Sequence, residues 1–474
     1  MSGTDFKMRF RDPQLKGQRK MMFKILGMAS ILLTIAVFLL LSLFWGSLFR
    51  IETCASDSPD SPIDHPELTK LAFADFPRLK IYVYDFDGQL LGPTLVQGLK
   101  QTLSSPTHFG LIFRDTVGKD YAQIAQEIIE EKAWGAVVIN ANATTNFQAA
   151  VQGTGGLLNG EWAPSGAMSL YVASSRWFQV ILEFLLPFLE QMLQPMITRA
   201  CQQAASSFLQ STTPATLSTL SGTQLAALAT PFSYQTIDYR PVHPKQWAGA
   251  APLEAGLIYY TIFSFHIALF LCFARMPFFA AIKKKGYKLT YPSTLALRFL
   301  PLPFAYLILS LSYSLINLAF QLPMDGNGYA SFGPQAGFVV FWMLNLFTLL
   351  ALGGAMESML TLVTMKFFPI FLVCWILLNI TSSFFPATVM PHWYRYGYAM
   401  PFYHSTIACK HIFWGARDRL GLNFGVLAAW TGLNIFSLSL FELMWRKLGA
   451  KKERKEREKE RKEGDANKPE KTSS

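Results

Sequence analysis

Two aspartates flank a single phenylalanine in the stretch Val83-Tyr84-Asp85-Phe86-Asp87-Gly88. Paired carboxylates after a strand can hold Mg²⁺ and supply a nucleophile for phosphoryl transfer. The same residues suit a strand-to-helix turn, where Asp accepts from the following backbone and Gly tolerates positive φ. No Lys and no second acidic motif stands in a supporting place, so the turn is the better reading and no catalytic residue is assigned. The seven His and five Cys residues show no ligand spacing, so neither a metal site nor a cofactor is expected. Cys272 and Cys374 fall in apolar runs, whereas Cys54 and Cys201 share one polar segment and could pair in an oxidising compartment.

Leu220-Ser221-Gly222-Thr223-Gln224 resembles the signature loop of ABC ATPases. That loop works only beside a phosphate cradle, GxxxxGK followed by Ser or Thr, and this sequence has none. No intrinsic ATPase activity is expected. Asn142-Ala143-Thr144 is an N-glycosylation acceptor if its segment lies in the secretory lumen. Asn379-Ile380-Thr381 has the same form but lies in an apolar run and should be inert. His266, Asn317, Asn345, Glu357 and Asn379 sit in or at the ends of apolar runs. Polar groups in lipid face a bundle interior and can mark a substrate path. Glu357 is the sharpest of them, because Gly353 and Gly354 before it permit close helix approach. Two readings stay open: an interface anchor paired with Arg298 or Lys366, or a gate on a polar path.

Composition says what must position these groups. The 474 residues are 51% hydrophobic and only 15% charged, too little charge to cover a soluble surface. Apolar runs of about 20 residues cross a bilayer, and they fall at 25–49, 254–273, 299–320, 337–356, 367–385 and 423–443. The first is too long for a cleaved signal peptide and reads as an anchor. The formal charge of +11 comes from basic residues beside these runs, which points to topology and anionic lipid, not to nucleic acid. Lys7 to Lys24, Arg275 to Arg298, and Arg446 onward mark the cytosolic side, so both termini are expected inside. Arg395, Lys410, Arg417 and Arg419 fall on the predicted outer side, against that pattern. The tail alternates Lys or Arg with Glu and reads as a solvated helix that frays.

Between the first two runs, 57–66 reads as a linker rich in Pro, Ser and Asp. Apolar segments at 79–84, 110–113 and 134–139 then alternate with helical spacing at 93–103 and 120–132. Such alternation predicts βαβ units and a small parallel sheet. Residues 171–209 read as one long helix, kinked at Pro187 and Pro195. Its acids Glu183 and Glu190 argue against a membrane span and for packing on the α/β core. The fold class is therefore a membrane α-helical bundle of about six transmembrane helices, with a large extracytoplasmic α/β domain between helices 1 and 2. Its parts are a basic segment 1–24, an anchor 25–49, the α/β domain 50–252, a five-helix membrane domain 253–445 and a charged tail 446–474.

The outer domain contains Val83-Tyr84-Asp85-Phe86-Asp87-Gly88 and Trp134-Gly135-Ala136-Val137-Val138-Ile139, and closes on Ala251-Pro252-Leu253-Glu254-Ala255-Gly256. Phe384-Phe385-Pro386, Trp393-Tyr394-Arg395-Tyr396-Gly397-Tyr398 and Asn423-Phe424-Gly425-Val426-Leu427 follow near the C-terminus. Together these resemble the fungal nitrosoguanidine-resistance protein family over nearly the whole chain. More distantly the sequence is similar to phage-infection-type proteins and to the membrane half of type-2 ABC exporters. The exporters place a re-entrant hairpin before their last helix, which implies one at 386–414 and accounts for the misplaced cations. The resemblance implies plasma-membrane residence and tolerance of toxic compounds or a role in lipid distribution, with no catalytic residues to carry over. Permease-like export of amphiphilic small molecules is the leading expectation, driven by a separate ATPase or an ion gradient, with a homodimer as another arrangement. A non-transporting organiser of lipid asymmetry is the alternative, and an outer-face enzyme using Asp85 and Asp87 the third.

Overall fold

The computed structural model describes residues 7–8, 13, 16–17, 19–24, 76–104, 108–153, 163–243 and 246–466, apart from positions 364, 366, 382, 389 and 391. The expected anchor at 25–49, the linker at 57–66 and Cys54 lie outside the described residues.

Strands β1 (Lys80–Asp85), β2 (Gly110–Arg114), β3 (Gly135–Ile139), β4 (Met168–Val172) and β5 (Tyr234–Asp238) form one sheet in the order β2-β1-β3-β4-β5. β1 pairs parallel with β2 and β3, and β4 parallel with β5. The expected all-parallel sheet is corrected at its centre, where β3 and β4 run antiparallel with Ala136 opposite Tyr171. After β3 the chain returns to the same end of the sheet before β4 begins, and Asn140 N donates to Ala167 O at 3.0 Å. Every residue of β3 and β4 is buried, as central strands covered on both faces require. Helices α1 (Leu91–Thr102) and α4 (Leu186–Ser211) cover one face through Leu95, Leu99, Leu189, Leu193 and Ile197. α2 (Tyr121–Ile129) covers the other with Ile124 and Ile128. α3 (Ala143–Gln152) and α5 (Gly222–Ala229) complete the domain.

The long helix expected at 171–209 is also corrected. Residue 171 belongs to β4, and the helix begins at Gln179 with a π-helical stretch, Gln179–Leu185, that runs into α4. Pro187 lacks the N–H that an α-helix would donate to residue 183. Wider π turns relieve such a mismatch. A second π stretch, Ala251–Ala255, contains Pro252 and opens the first long bundle helix.

Among the described residues, five helical stretches are long and apolar enough to cross a membrane: Gln179–Ser211, Ala248–Lys284, Tyr291–Ala319, Pro334–Leu362 and Leu420–Glu458. The first lays its buried stripe on the sheet. The others supply α6 (Gly256–Lys284), α7 (Tyr291–Phe299), α8 (Pro301–Ala319), α9 (Pro334–Leu362) and the N-terminal part of α12 (Leu420–Ala466). The apolar run at 367–385 is helical only as α10 (Phe368–Ile380). At about 1.5 Å per residue it reaches about 20 Å, short of a hydrocarbon core of about 30 Å. α11 (Pro401–Trp414) follows a 3-10 segment, and all its residues except Ile407 are buried. Outward faces of the bundle stay apolar, with Phe304, Ile370, Val373 and Phe436 all exposed, the surface that lipid covers.

At one end of the bundle, Lys7–Met8 pairs with Lys288–Leu289, and Met22 packs with Phe278, Ile282, Leu289 and Leu297. Lys288 there meets Glu453 of α12 at 2.7 Å. The α/β domain joins the opposite end, where Arg240 donates to Gly415 O at 3.2 Å.

Candidate functional site

Gly353, Gly354 and Glu357 occupy successive turns of α9. A Cβ at Gly353 would collide with the Tyr306 hydroxyl of α8, and one at Gly354 would lie 2.7 Å from Asn434 Nδ2 of α12. Both neighbouring helices therefore close onto α9 just before Glu357, whose side chain is fully buried. A lone carboxylate there would be costly, and the sequence supplies cations from two other elements. Glu357 Oε1 accepts from Arg275 Nη2 at 2.8 Å and from Arg298 Nε at 3.0 Å. Arg298 Nη1 reaches Glu442 Oε2 at 3.1 Å, and Glu442 Oε1 meets Arg446 Nε at 3.0 Å. Arg446 also donates to Leu289 O at 3.1 Å. Three guanidiniums and two carboxylates thus join α6, α7, α9 and α12 in one chain of charge. Glu357 Oε2, Arg275 Nη1 and the buried hydroxyls of Tyr306 and Tyr260 make no hydrogen bond among the described residues.

Beyond Tyr306 the bundle interior stays polar. Trp342 Nε1 donates to Ser310 Oγ at 3.1 Å, Asn345 Nδ2 to Ser314 Oγ at 2.9 Å, and Thr348 Oγ1 to Ser405 Oγ of α11 at 3.2 Å. Asn317, buried on α8, donates to Tyr313 O at 2.9 Å. Of the sequence candidates, Glu357, Asn317 and Asn345 therefore share the bundle interior. His266 stands apart, half-buried, with Nδ1 2.8 Å from Ile262 O. Asn379 serves the backbone: its Oδ1 accepts from Phe402 N at 3.4 Å, capping α11 from α10. Sequence reading left out Arg275, Glu442 and Arg446 as members of the cluster. The available signal was that each stands within or beside an apolar run, where a charge needs a partner.

The other motifs resolve into local structure. Asp85 Oδ1 accepts from Asp87 N at 3.0 Å and Gly88 N at 2.9 Å. Asp87 is buried and accepts from Thr144 N at 2.8 Å and Thr144 Oγ1 at 2.6 Å. Strand order reverses between β1 and β3, the place where open α/β sheets bind ligands. Here Asp87 itself occupies the N-terminus of α3, where an anion would otherwise sit. On the opposite face of the sheet, burial and a hydrogen bond to Glu127 push the Tyr84 phenol above its ordinary range. Burial on its own would raise the Glu127 carboxyl, but bonds from Lys119 and Tyr84 outweigh it and hold that carboxyl low. Ser221 and Gln224 form a capping box for α5, which explains the look of a signature loop without nucleotide chemistry. Asn142 is exposed at φ 60°, a left-handed position that Asn tolerates. Cys201 donates to Phe232 O at 3.4 Å. Three of the four cations expected on the outer side find protein partners. Arg419 pairs with Glu131 at 3.0 Å, Arg417 donates to Glu130 O at 3.0 Å, and buried Lys410 donates to Arg176 O at 3.2 Å.

A family described as "Protein of unknown function (DUF3533)" matches residues 73–436. The chain is also similar to the Saccharomyces cerevisiae protein named "Uncharacterized endoplasmic reticulum membrane protein YJR015W", with 26% identity over 453 residues that cover 90% of this chain and 81% of the relative. No solved structure matches it.

Proposed function

The chain belongs to the DUF3533 family as a multi-pass membrane protein, and from that premise we propose that it is a permease-like exporter of amphiphilic small molecules, contributing to resistance to toxic compounds. The observation that carries this reading is the buried cluster around Glu357, with unpartnered polar atoms at the foot of a polar interior. Charged groups are retained inside a membrane bundle where they serve a path or a moving element. The resemblance to nitrosoguanidine-resistance proteins supports a toxin-resistance role and residence in the plasma membrane. The relative named for the endoplasmic reticulum makes that membrane the alternative. Cytosolic termini and a glycosylated Asn142 follow from the basic flanks. The chain lacks a phosphate cradle, so energy comes from a separate ATPase or an ion gradient, and a homodimer is one assembly that would complete the path.

The second reading is a non-transporting organiser of lipid asymmetry. It is favoured by the gathering of Arg176, Lys410, Arg417 and Arg419 where the α/β domain meets the bundle. Vesicles reconstituted with the pure protein and loaded with rhodamine 6G separate the two. Efflux under an imposed proton gradient, absent without protein, supports export. Altered lipid exposure with no efflux under a gradient or with ATP and cytosolic extract supports the organiser.

A further inference from the structure

A cavity of about 230 Å³ lies between the α/β domain and the bundle. Glu131, Trp134 and Arg176 line it from the domain, and Tyr398, Tyr403 and Arg419 from the segments around α11. Its two guanidiniums differ in their partners. Arg419 is neutralised by Glu131 at 3.0 Å. Arg176 stacks on the Trp134 ring at 3.8 Å and donates Nη1 to Ala133 O at 2.8 Å. No carboxylate lies within ion-pair distance of Arg176 among the described residues, so the cavity keeps a net positive charge. Burial pushes Arg176 down to about 10, which leaves it protonated at neutral pH. Behind it the Lys410 amine sits 3.1 Å over the Trp177 ring, where burial pushes its pKa well down, so the positive charge of the cavity rests on Arg176.

Size and surroundings narrow the ligand. The volume falls below the roughly 300–1,000 Å³ of clefts that enclose drug-sized molecules, so the cavity admits one polar group and not a whole amphiphile. Exposed apolar residues adjoin the lining in the chain: Tyr398, in the lining, and Phe384, two residues before Pro386, are each 44% exposed, and Leu422, three residues after Arg419, is 60% exposed. Trp177 Nε1 donates to Phe384 O at 3.1 Å, fixing Phe384 to the cavity wall. Aromatic rings with one wet end collect at the membrane–water interface. Guanidinium is the group that matches phosphate oxygens in a plane.

We propose that this cavity binds the phosphate-bearing headgroup of a membrane lipid, with Arg176 and Arg419 on the phosphate oxygens and the acyl chains over Phe384, Tyr398 and Leu422. The proposal rests on the chain being membrane-embedded and not on export, so a failure of either leaves the other standing.

The test uses the full chain in detergent and reads the thermal-unfolding midpoint, which rises when a ligand binds only the folded state. Three probes are compared: dioctanoyl phosphatidic acid, dioctanoylglycerol without the phosphate, and glycerol 3-phosphate without the chains. Phosphatidic acid should raise the midpoint by several degrees in a saturable way, and the other two should not. Arg176→Gln should abolish the shift, whereas Arg114→Gln, on β2 and outside the cavity lining, should keep it. Where Arg176→Gln fails to fold, Thr388→Trp decides, because it fills the cavity wall and leaves every charge in place. An equal shift with dioctanoylglycerol would reduce the site to apolar contact and overturn the proposal. A full shift with glycerol 3-phosphate alone would make it a soluble-phosphate site and overturn the lipid. Retention of the shift in Thr388→Trp would also overturn it.

Discussion

One oxygen of Glu357 accepts from two guanidiniums, and this changes what the residue must do for the fold. Glu357→Gln keeps the volume and an acceptor but leaves Arg275, Arg298 and Arg446 with Glu442 alone. Removing one partner of a buried pair costs about 3–5 kcal/mol. Surface abundance of Glu357→Gln should therefore fall sharply, and Arg275→Gln added to it should restore much of the loss. Wild-type abundance of the single variant by quantitative blotting would refute this. Arg298 was a legible partner because it ends a basic loop beside an apolar run. Arg275 and Glu442 were not, since spacing along a chain does not say which helices face each other. Asp87 shows the reverse case, a motif with a chemical look and a structural use. Asp87→Asn removes the charge that takes both Thr144 donors, worth about 1–3 kcal/mol for a buried group. Faster trypsin cleavage within the α/β domain should report it. Glu127 adds a pH dependence. Its folded carboxyl is held low, so its contribution is complete above the ordinary Glu range of about 4.3. That contribution is lost as pH falls below this range, and Glu127→Gln should flatten this acid limb in a melting series.

Helix lengths and caps decide how the elements meet. Alternating strands and helices at 79–139 were legible because their periods differ, and each matches an observed element within a few residues. The antiparallel step at β4 was not, because Met168–Val172 reads equally well as the start of a helix when followed by an apolar stripe. The π stretches were invisible for a related reason: prolines mark a disturbance but not the hydrogen-bond spacing that absorbs it. Small residues gave the clearest element-level signal. Gly354 lets α12 approach until Asn434 Nδ2 donates to Ala351 O at 2.7 Å. Gly354→Leu should force the helices apart and lower the melting midpoint in detergent, by the equivalent of about 1–3 kcal/mol for an overpacked site. Gly432→Leu on α12 serves as the control, because a Cβ there meets nothing within 4 Å. Equal midpoints for the two variants would show that α9 and α12 do not depend on this contact.

For the whole molecule, three of the four cations that break the charge pattern are held by protein groups, and the fourth, Arg395, is exposed. Arg417 and Arg419 grip the loop around Glu131, and Lys410 lies under Trp177. A positive-inside signal depends on charges left free beside the membrane, so these three carry little orientation information. The other basic flanks gather where the N-terminal segment, the 285–290 turn and the start of the tail meet at one end of the bundle. Orientation then predicts that Asn142 carries a glycan and that a C-terminal tag resists protease added to intact cells. The structure adds a condition. The Thr144 hydroxyl of the acceptor triplet is buried on Asp87, so the transferase can reach the triplet only before the domain folds. Glycosylation of Asn142 should therefore be cotranslational, and folded protein purified from bacteria should not accept a glycan in vitro. Asn142→Asp keeps a residue that tolerates φ near 60° and should remove one glycan from the wild-type mobility. A slower-folding Asp87→Asn chain should be glycosylated at least as fully. Digestion of the tag from outside, or identical mobility of wild type and Asn142→Asp, would reverse the assigned orientation.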